Sequence, residues 1–544
     1  MVDKVASSVV VCQGGLNSTE NYLLLDATLP GGAARLVNYE VGIYGGYRRI
    51  EGFVPYSDTY EFVDNTNAEG KILGLVIYTD IDDSKQILAA RKQKSGNTYN
   101  WYKFESGTGW VAETTGCTLN TASLTAEIVK IRHAKVSFGN VSYLVFADGV
   151  NNPTVYDGTD WYQLDPTGAG TSVDPGGNQL LSAPSYVTTF ENHIFFSGDA
   201  EYPALVCHSA PEDVFDYTVA SGGGQLLTGY KVKQIKPFRE NLFVFGTSDI
   251  KKIYVNGTDF VIKDVTNNIG TIASDSVLEI NGDLIFLAQD GVRTVSGTDK
   301  IGDINIGSLS RQILHLINDV QNNYNLDLLN GVIIKKKSQF RYFVSASTLD
   351  ALGKGIIGGI RDNQGQASWE FGELAGIVTS VVENDYISNQ EVTLHGNFDG
   401  GVYQQESGDT FNGVNVTSVY TTTFLTLGDP LIIKQSRKLR TFMKPEGPIT
   451  LNIRLSFDWD DDTVRNPDGY TTETNDILTY YDDGIAEYDD TITVYDVVDT
   501  SPIKITDIQG SWRAIQITYT SSGDYAPHSI QGFIIDYTPQ GTRP

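Results

Sequence analysis

The chain has 544 residues, of which 67 are acidic and 39 are basic, and its formal net charge is −28. This length exceeds what one hydrophobic core usually organises, so about two or three domains are expected. Hydrophobic residues at 40% and aromatic residues at 11% exclude a disordered chain, and the acidic balance disfavours stable binding to nucleic acid phosphates. Thirty tyrosines and 55 glycines beside two methionines favour short strands and tight turns over helices.

The cysteines and the apolar stretches limit the cellular compartments in which the chain is expected to fold. Cys12, Cys117 and Cys207 are scattered and lack a C-x-x-C spacing, so we expect neither a disulfide framework nor a zinc site. The first residues lack a signal-peptide pattern, and no apolar stretch is long enough to span a membrane. We therefore expect a chain that folds in a reducing cytoplasm, without a membrane-spanning segment and without a cofactor.

Residues 1–53 are rich in glycine and predict an extended N-terminal arm with sharp corners. Three short motifs follow one another in this arm. They are Gly14-Gly15-Leu16-Asn17, residues 29–39 (LPGGAARLVNY) and residues 45–53 (GGYRRIEGF). Their glycines permit backbone angles that other residues resist.

Residues 54–412 repeat one β-hairpin pattern. In the clearest copies, between Lys236 and Val295, a polar turn at 240–241 or 281–283 precedes an apolar strand. Further copies occur at 140–149, 191–199, 337–346 and 389–403. The period of roughly 40 to 55 residues is typical of a four-stranded sheet repeated around an axis, and it predicts a β-propeller of about six or seven blades. The alternative is a set of unrelated hairpins in a large sandwich.

Residues 308–330 interrupt the β pattern. Apolar residues recur there at helical spacing, with Ser308 as a candidate N-cap and Gly331 as a stop. They are Leu309, Ile313, Leu316, Ile317, Val320, Tyr324 and Leu328. We predict one amphipathic helical insertion, which either contacts another subunit or packs between two blades of its own propeller.

Residues 413–544 alternate apolar and polar positions and predict a C-terminal antiparallel β-sandwich or platform domain. A basic stretch within it contains Lys434, Arg437, Lys438, Arg440 and Lys444. An acidic insertion at 458–499 contains Asp458, Asp460, Asp461, Asp462, Asp482, Asp483, Asp489 and Asp490. Three interpretations stay open: the acidic cluster lines a channel, it docks on the basic stretch of a neighbouring subunit, or it is a solvated loop.

No motif predicts catalysis or metal binding. Asp458, Asp460 and Asp462 have the first spacings of a calcium loop, but Thr463 replaces its glycine and Gly469 replaces its final glutamate. The chain has no G-x-S-x-G, Walker or H-E-x-x-H motif, and its six histidines are scattered. We therefore predict a protein that is not an enzyme, although acids converging on a propeller axis would escape this reasoning.

The three N-terminal motifs, in their order and spacing, and the closing residues 530–543 (IQGFIIDYTPQGTR) resemble the tail nozzle or tail hub proteins of short-tailed, podovirus-like bacteriophages. The resemblance implies a structural protein of the virion tail, made in the host cytoplasm, with a β-propeller in each subunit. It implies a homo-oligomeric ring, a hexamer, below the portal and adaptor. The partners it implies are the adaptor protein, tail fibres or spikes, and viral DNA that passes without sequence-specific binding.

Two other functional classes stay open beside the tail protein. One is a receptor-binding or glycan-binding propeller, and the other is a propeller glycosidase. Affinity for a host surface sugar without ring formation would distinguish the first, and turnover of a polysaccharide would distinguish the second.

Overall fold

The computed structural model describes residues 5–41, 45–57, 70–92, 99–113, 128–165, 172–176, 179–296, 308–345, 353–363, 366–474 and 503–540. Short antiparallel strands dominate these residues, as the abundance of β-branched and aromatic residues between turn residues predicts. The all-β prediction is confirmed.

The N-terminal residues are strands built into the rest of the molecule. The elements are β1 (Ala6–Val11), α1 (Tyr22–Thr28), β2 (Ala33–Val37), β3 (Tyr39–Val41), β4 (Tyr47–Arg49) and β5 (Phe53–Pro55). β1 pairs antiparallel with the last strand of the chain, from Ala6 opposite Tyr537 to Val11 opposite Gly532. The arm therefore joins sheets whose other strands come from hundreds of residues later.

Five sheets of consecutive strands follow. The first contains β6 (Ile72–Thr79), β7 (Lys85–Lys92), β8 (Tyr99–Glu105) and β9 (Gly109–Ala112). The second contains β10 (Arg132–Phe138), β11 (Val141–Ala147), β12 (Thr154–Tyr156), β13 (Trp161–Leu164) and β14 (Ser172–Val173). The third contains β15 (Tyr186–Phe190), β16 (His193–Ser197), β17 (Leu205–His208) and β18 (Gly224–Leu227). The fourth and fifth contain β19 (Gln234–Phe238), β20 (Asn241–Phe245), β21 (Ile250–Asn256), β22 (Asp259–Thr266), and then β23 (Leu278–Ile280), β24 (Asp283–Ala288) and β25 (Gly291–Thr294).

Two further strand groups continue the series but belong to one larger sheet. They are β26 (Asn330–Ile334), β27 (Gln339–Val344), β28 (Lys354–Asn363) and β29 (Gln366–Ala375), and then β30 (Val381–Ile387), β31 (Gln390–Gly396) and β32 (Val402–Gln405). β5 from the N-terminal arm pairs with β32 and adds a fourth strand to the last group. Within this sheet the two groups are not direct neighbours. Between β29 and β5, the hydrogen-bonded order passes through β2 and through strands that follow residue 409.

The five sheets and the two strand groups pack in a closed circle. The first strands β6, β10, β15 and β19 contact one another in that order, and β23, β26, β30 and β6 do the same. Phe245 and Phe286 share one apolar cluster and so join the fourth sheet to the fifth. Val381 and Ile72 share another, which closes the last group on the first sheet. Each sheet thus buries its faces against its neighbours, which confirms a propeller-like arrangement.

The predicted helix at 308–330 is shorter than expected. The α-helix α2 covers Leu314–Asn323, between 3-10 turns at Arg311–Ile313 and Leu326–Leu328. Ser308 does not cap it. The Leu309 amide donates to the Val292 carbonyl and the Ser310 hydroxyl accepts the Val292 amide, so the fifth sheet holds this segment outside the helix. Ile317 and Val320 are fully buried in the cluster that contains Ile285. The apolar face of the helix is therefore used inside its own chain.

The C-terminal residues form two facing sheets. Their strands are β33 (Thr410–Phe411), β34 (Val414–Thr422), β35 (Lys434–Pro445), β36 (Ile449–Phe457), β37 (Tyr470–Thr474), β38 (Ile503–Asp507), β39 (Ser511–Trp512), β40 (Ile515–Gly523) and β41 (His528–Pro539). One sheet contains β1, β3, β4, β41, β35, β38 and β39, and the other contains β34, β40, β36 and β37. Leu439 and Ile535 of the first sheet pack against Leu455 and Ile517 of the second, as strict alternation requires of a sandwich.

Candidate functional site

The N-terminal motifs lie together in a buried junction, which we call the arm junction: residues 12–17, 29–39 and 45–53 with the strands they contact. The hydroxyl of Tyr47 donates to the Gly31 carbonyl at 3.0 Å and accepts the Gly15 amide at 3.0 Å. A Cβ on Gly31 would lie 1.6 Å from the carbonyl oxygen of Val11, and Gly15 has a φ of +66°. Only glycine fits such close approach and such an angle without strain.

The paired arginines of the motif also serve the junction. Arg49 is fully buried and its guanidinium donates to the carbonyls of Asp409, at 2.8 Å, and Tyr525. Arg48 forms ion pairs with Glu40 at 2.8 Å and with Glu446 at 2.6 Å. The two side chains therefore tie the arm to the loops that contain Asp409, Glu446 and Tyr525.

A buried ionic cluster continues the junction. Glu40 accepts from Lys337 at 2.8 Å and from Arg341 at 3.1 Å, and both cations also contact Glu406. Burial alone would raise the pKa of the Glu406 carboxyl, but the two cations hold it below its usual value. Most of the residues that carry the family resemblance thus connect parts of one chain, and of these motifs only Arg35 lines a cavity described below.

The predicted basic stretch lies on β35, and its residues differ in environment. Lys434 is buried and donates to the backbone carbonyls of Asp429 and Ile432 at 2.8 and 3.2 Å, so it is a structural residue. Arg437 donates to the Thr538 hydroxyl at 3.1 Å.

Arg437 and the other three basic residues lie toward solvent. Lys444 is exposed, Lys438 pairs loosely with Asp507 at 3.7 Å, and Arg440 contacts Asp536 at 2.9 Å. Partial burial opposes ionisation of Asp536, but the Ser7 hydroxyl and Arg440 hold the pKa of its carboxyl below the usual value.

The same side of the sheet carries an apolar stripe, and we call this surface the β35 face. Cross-strand register places Val9, Ile534, Arg440 and Ile505 in one row, and Val11, Gly532, Phe442 and Ile503 in the next. Val9 is 68% exposed, Val11 56% and Ile505 55%, while Leu439 and Ile535, which point the other way, are fully buried. The stripe crosses four strands. Arg440 interrupts its first row between Ile534 and Ile505, and Lys438 lies beside that row.

The described part of the acidic insertion begins with a left-handed turn. Asp458, Trp459 and Asp460 have φ values of 48°, 60° and 59°. The Asp458 carboxylate accepts the backbone amides of Arg513 and Ala514 at 2.6 and 2.9 Å, so it holds the turn. Asp482, Asp483, Asp489 and Asp490 lie outside the described residues.

Asp460, Asp461 and Asp462 edge a cleft of about 650 Å³ on the outer side of the other sandwich sheet. Arg35, Arg454, Thr421 and Thr518 also line this cleft. The Thr463 amide and hydroxyl donate to Asp461 and lower the pKa of its carboxyl. The acidic turn and the β35 face therefore lie on opposite outer surfaces of one sandwich.

A cavity of about 370 Å³ lies where the first strands of the propeller-like part converge. Its lining includes residues from or just before β6, β10, β15, β19, β23, β26 and β30. Asp275 accepts from Lys130 at 2.6 Å and from Arg132 at 2.9 Å, across 145 and 143 residues of sequence. Burial alone would raise the pKa of the Asp275 carboxyl, but Arg132 and Lys130 outweigh it and hold the pKa below its usual value.

The other carboxylate lining this axial cavity is paired as well. Glu383 accepts from Lys135 at 2.8 Å and lies 3.5 Å from Nε2 of His133, whose pKa is lowered chiefly by burial. Both carboxylates are thus engaged by cations, an arrangement suited to holding the ring together.

Sequence reasoning missed the axial cavity. Its charged residues are spread over more than 250 positions, from Lys130 to Glu383, and no local motif unites them. A usable signal existed, because Arg132, Lys236 and Glu383 each occupy the first strand of a repeat. Aligning the repeats on their first strands would have placed these charges around one axis.

Two searches of the described residues gave negative results. No group of three or more His, Cys, Asp and Glu side chains is placed to hold a metal ion there. Within the same residues, no helix is long and apolar enough to cross a membrane.

Comparison with known proteins gives no family. No family model and no curated protein matches the chain. Among solved structures, the extracellular domain of BT4673 from B. thetaiotaomicron, described as a hybrid two-component system, is 11% identical, with a TM-score of 0.33 over 78% of this chain and 54% of that one. The chain thus spans about half of that structure. A variant of AofleA from Arthrobotrys oligospora is 9% identical, with a TM-score of 0.23 over 69% of this chain and 94% of that one. Neither of these two similarities is high enough to carry an argument about function.

Proposed function

We propose that the chain is a structural subunit of a ring-shaped assembly, the tail nozzle or tail hub of a short-tailed bacteriophage. In this proposal the propeller has seven blades, the last of which is completed by β5, and the arm junction joins it firmly to the C-terminal sandwich. The proposal assigns no catalytic role. It places the ring below the portal and adaptor, with attachment sites for fibres or spikes and a channel for the genome.

The observation that carries the proposal is the β35 face. Exposed aliphatic residues scattered singly are common on protein surfaces, but Val9, Val11 and Ile505 lie on one face of one sheet and are connected there through Phe442 and Ile503. An apolar centre edged by charged residues is the composition of a protein interface. Lys438 lies at that edge and Arg440 lies within the stripe, so the basic stretch acts in subunit docking together with the apolar residues beside it.

The occupant that we propose for this face is a second copy of the chain. The β35 face presents Lys438 and Arg440 with their partners Asp507 and Asp536 beside its stripe. The opposite side of the sandwich presents Asp460, Asp461 and Asp462 near Arg35 and Arg454, so each face offers groups of both signs to the other. Contact between opposite faces of identical subunits is head-to-tail, and such contacts close into a ring when the rotation between subunits allows it. A hexamer is the ring that the family resemblance implies.

Passage of DNA fits the overall charge. A protein of net charge −28 offers few free cations to hold phosphates, so a duplex in the ring would gain little binding free energy and could slide. Whether the acidic insertion lines this channel is a separate part of the proposal. Replacing Asp460, Asp461 and Asp462 by lysine in the assembled virion tests it, because added cations should slow genome release if they face the DNA.

The experiment for the ring compares two substitutions of exposed aliphatic residues. Ile505→Glu would bury a carboxylate in the interface beside Arg440, which Asp536 already engages. Association of subunits should weaken at least about 100-fold, which corresponds to about 2.7 kcal/mol. Leu227→Glu is the matched control, since Leu227 is 69% exposed on β18, far from the sandwich. Electron microscopy and sedimentation of the purified full chain measure assembly.

Three outcomes would contradict the proposal. One is a wild-type chain that remains monomeric alone and in the presence of the adaptor. Another is an Ile505→Glu protein that assembles as the wild type does, and the third is an equal loss of assembly in both variants. Thermal unfolding of each variant checks that the monomer stays folded.

A further inference from the structure

Three polar groups in the axial cavity have no partner in the described protein. Lys236 on β19 lines the cavity, and no carboxylate of the described residues lies within 4 Å of its ammonium group. Thr188 and Thr189, on the neighbouring first strand β15, line the same space, and their hydroxyls make no hydrogen bond among the described residues. The remaining cations of the cavity are engaged by Asp275, Glu383 and Asp385.

The position of Lys236 needs an explanation because the environment disfavours its charge. Burial lowers the pKa of its ammonium group, and the more distant Glu279, Asp275 and Glu383 only partly oppose this effect. Lys236 is half-buried, and a partly buried cation without a close counter-ion has no ion pair to offset its lost hydration. A protein of net charge −28 has many carboxylates that could have paired with it, yet none lies beside it in the described structure.

We propose that the axial cavity binds a small hydroxylated monocarboxylate, such as a sugar acid. Lys236 pairs with the carboxylate, and the hydroxyls of Thr188 and Thr189 exchange hydrogen bonds with hydroxyls of the ligand. One unpaired cation matches one negative charge, and two free hydroxyls match a polar rather than an apolar body. The volume of about 370 Å³ lies within the range of small-molecule sites, roughly 300 to 1,000 Å³.

This site is independent of the tail-ring proposal. It lies on the axis of one subunit's propeller-like part, and the residues involved are not those of the β35 face. Assembly and ligand binding can therefore fail separately, and each experiment tests one of them.

The test is calorimetric titration of the full chain with D-glucuronate and, in parallel, with D-glucose. The two probes have the same ring and differ in the carboxylate. The wild type should bind glucuronate at least tenfold more tightly than glucose. Lys236→Met should weaken glucuronate binding at least tenfold, and Thr189→Val should weaken it by a smaller factor.

Lys263→Met is the matched control, because Lys263 is an exposed lysine on β22 of the same sheet as Lys236. Its affinity for glucuronate should stay within twofold of the wild type. The proposal is overturned if glucuronate and glucose bind equally, if Lys236→Met binds glucuronate as the wild type does, or if the wild type binds no glucuronate at millimolar concentration. Unchanged thermal unfolding of the Lys236→Met protein shows that a lost affinity is not a lost fold.

Discussion

Asp275 is the residue whose loss should weaken the propeller-like ring most directly. Its carboxylate accepts from Lys130 at 2.6 Å and from Arg132 at 2.9 Å, and so ties the fifth sheet to the second across the axis. The side chain of Lys130 is only 6% exposed. Asp275→Asn would leave that ammonium group buried beside a second cation without a counter-charge.

Removing one partner of a buried ion pair costs about 3 to 5 kcal/mol. We expect the lower end, about 3 kcal/mol, because the Asp275 side chain keeps 19% exposure and water can reach the site. The measurement is urea unfolding followed by tryptophan fluorescence. Trp101 and Trp161 are suitable reporters, since both pack in the cluster that contains Ile131, next to Lys130.

Acidity provides a second test of the same ion pairs. A carboxyl whose folded pKa lies below its unfolded value stabilises the fold at pH values above the unfolded pKa, and this contribution is lost as pH falls through the folded pKa. The difference in free energy of unfolding between the wild type and Asp275→Asn should therefore have its full size at neutral pH and shrink below about pH 4. A difference that grows on acidification would contradict this sign.

Two further variants complete the test. Asp264→Asn is the control, because Asp264 is 61% exposed in its pair with Lys251, and the loss should be below about 1 kcal/mol. Adding Lys130→Met to Asp275→Asn should recover part of the lost stability, since the buried charge is removed. The reasoning is refuted if Asp275→Asn costs no more than Asp264→Asn.

Further substitutions probe the arm junction and the acidic turn. Gly31→Ala should lower the free energy of unfolding by about 2 kcal/mol or more, because the added Cβ clashes with the carbonyl of Val11. Gly359→Ala is the control and should cost less, since no atom lies nearer than 3.8 Å to the added Cβ. Thermal unfolding of the two variants gives the comparison. Asp458→Ala should lower the free energy of unfolding measured in urea by about 1 to 3 kcal/mol, because two backbone amides lose their acceptor. Asp461→Ala, at the surface, should cost less. Equal losses within either pair would contradict the assigned contacts.

Part of the candidate surface was within reach of sequence reasoning. The basic stretch on β35 was identified from charge alone, and Lys438 and Arg440 point outward. Its role in docking stays a proposal. The buried position of Lys434 was not foreseeable, because the carbonyls that it bonds belong to a loop whose path depends on the sandwich. The apolar stripe beside the stretch was also missed, since Val9, Ile534 and Ile505 come from three distant strands.

The sequence by itself determined the local structure of this protein. Alternation of apolar and polar residues, polar turns and the repeat period are short-range properties, and they specify strands and hairpins wherever the chain goes. The repeat period also sufficed to predict a propeller-like arrangement, because similar sheets bury their faces most simply against one another.

Only the tertiary structure decided which charges meet. Lys130 and Asp275 are 145 residues apart, and their contact exists because the sheets close into a circle. A net charge is a sum over the whole chain and does not say where the cations gather. The acidic composition therefore gave no warning of Lys236 and its neighbours around the axis, whose proximity follows from ring closure alone.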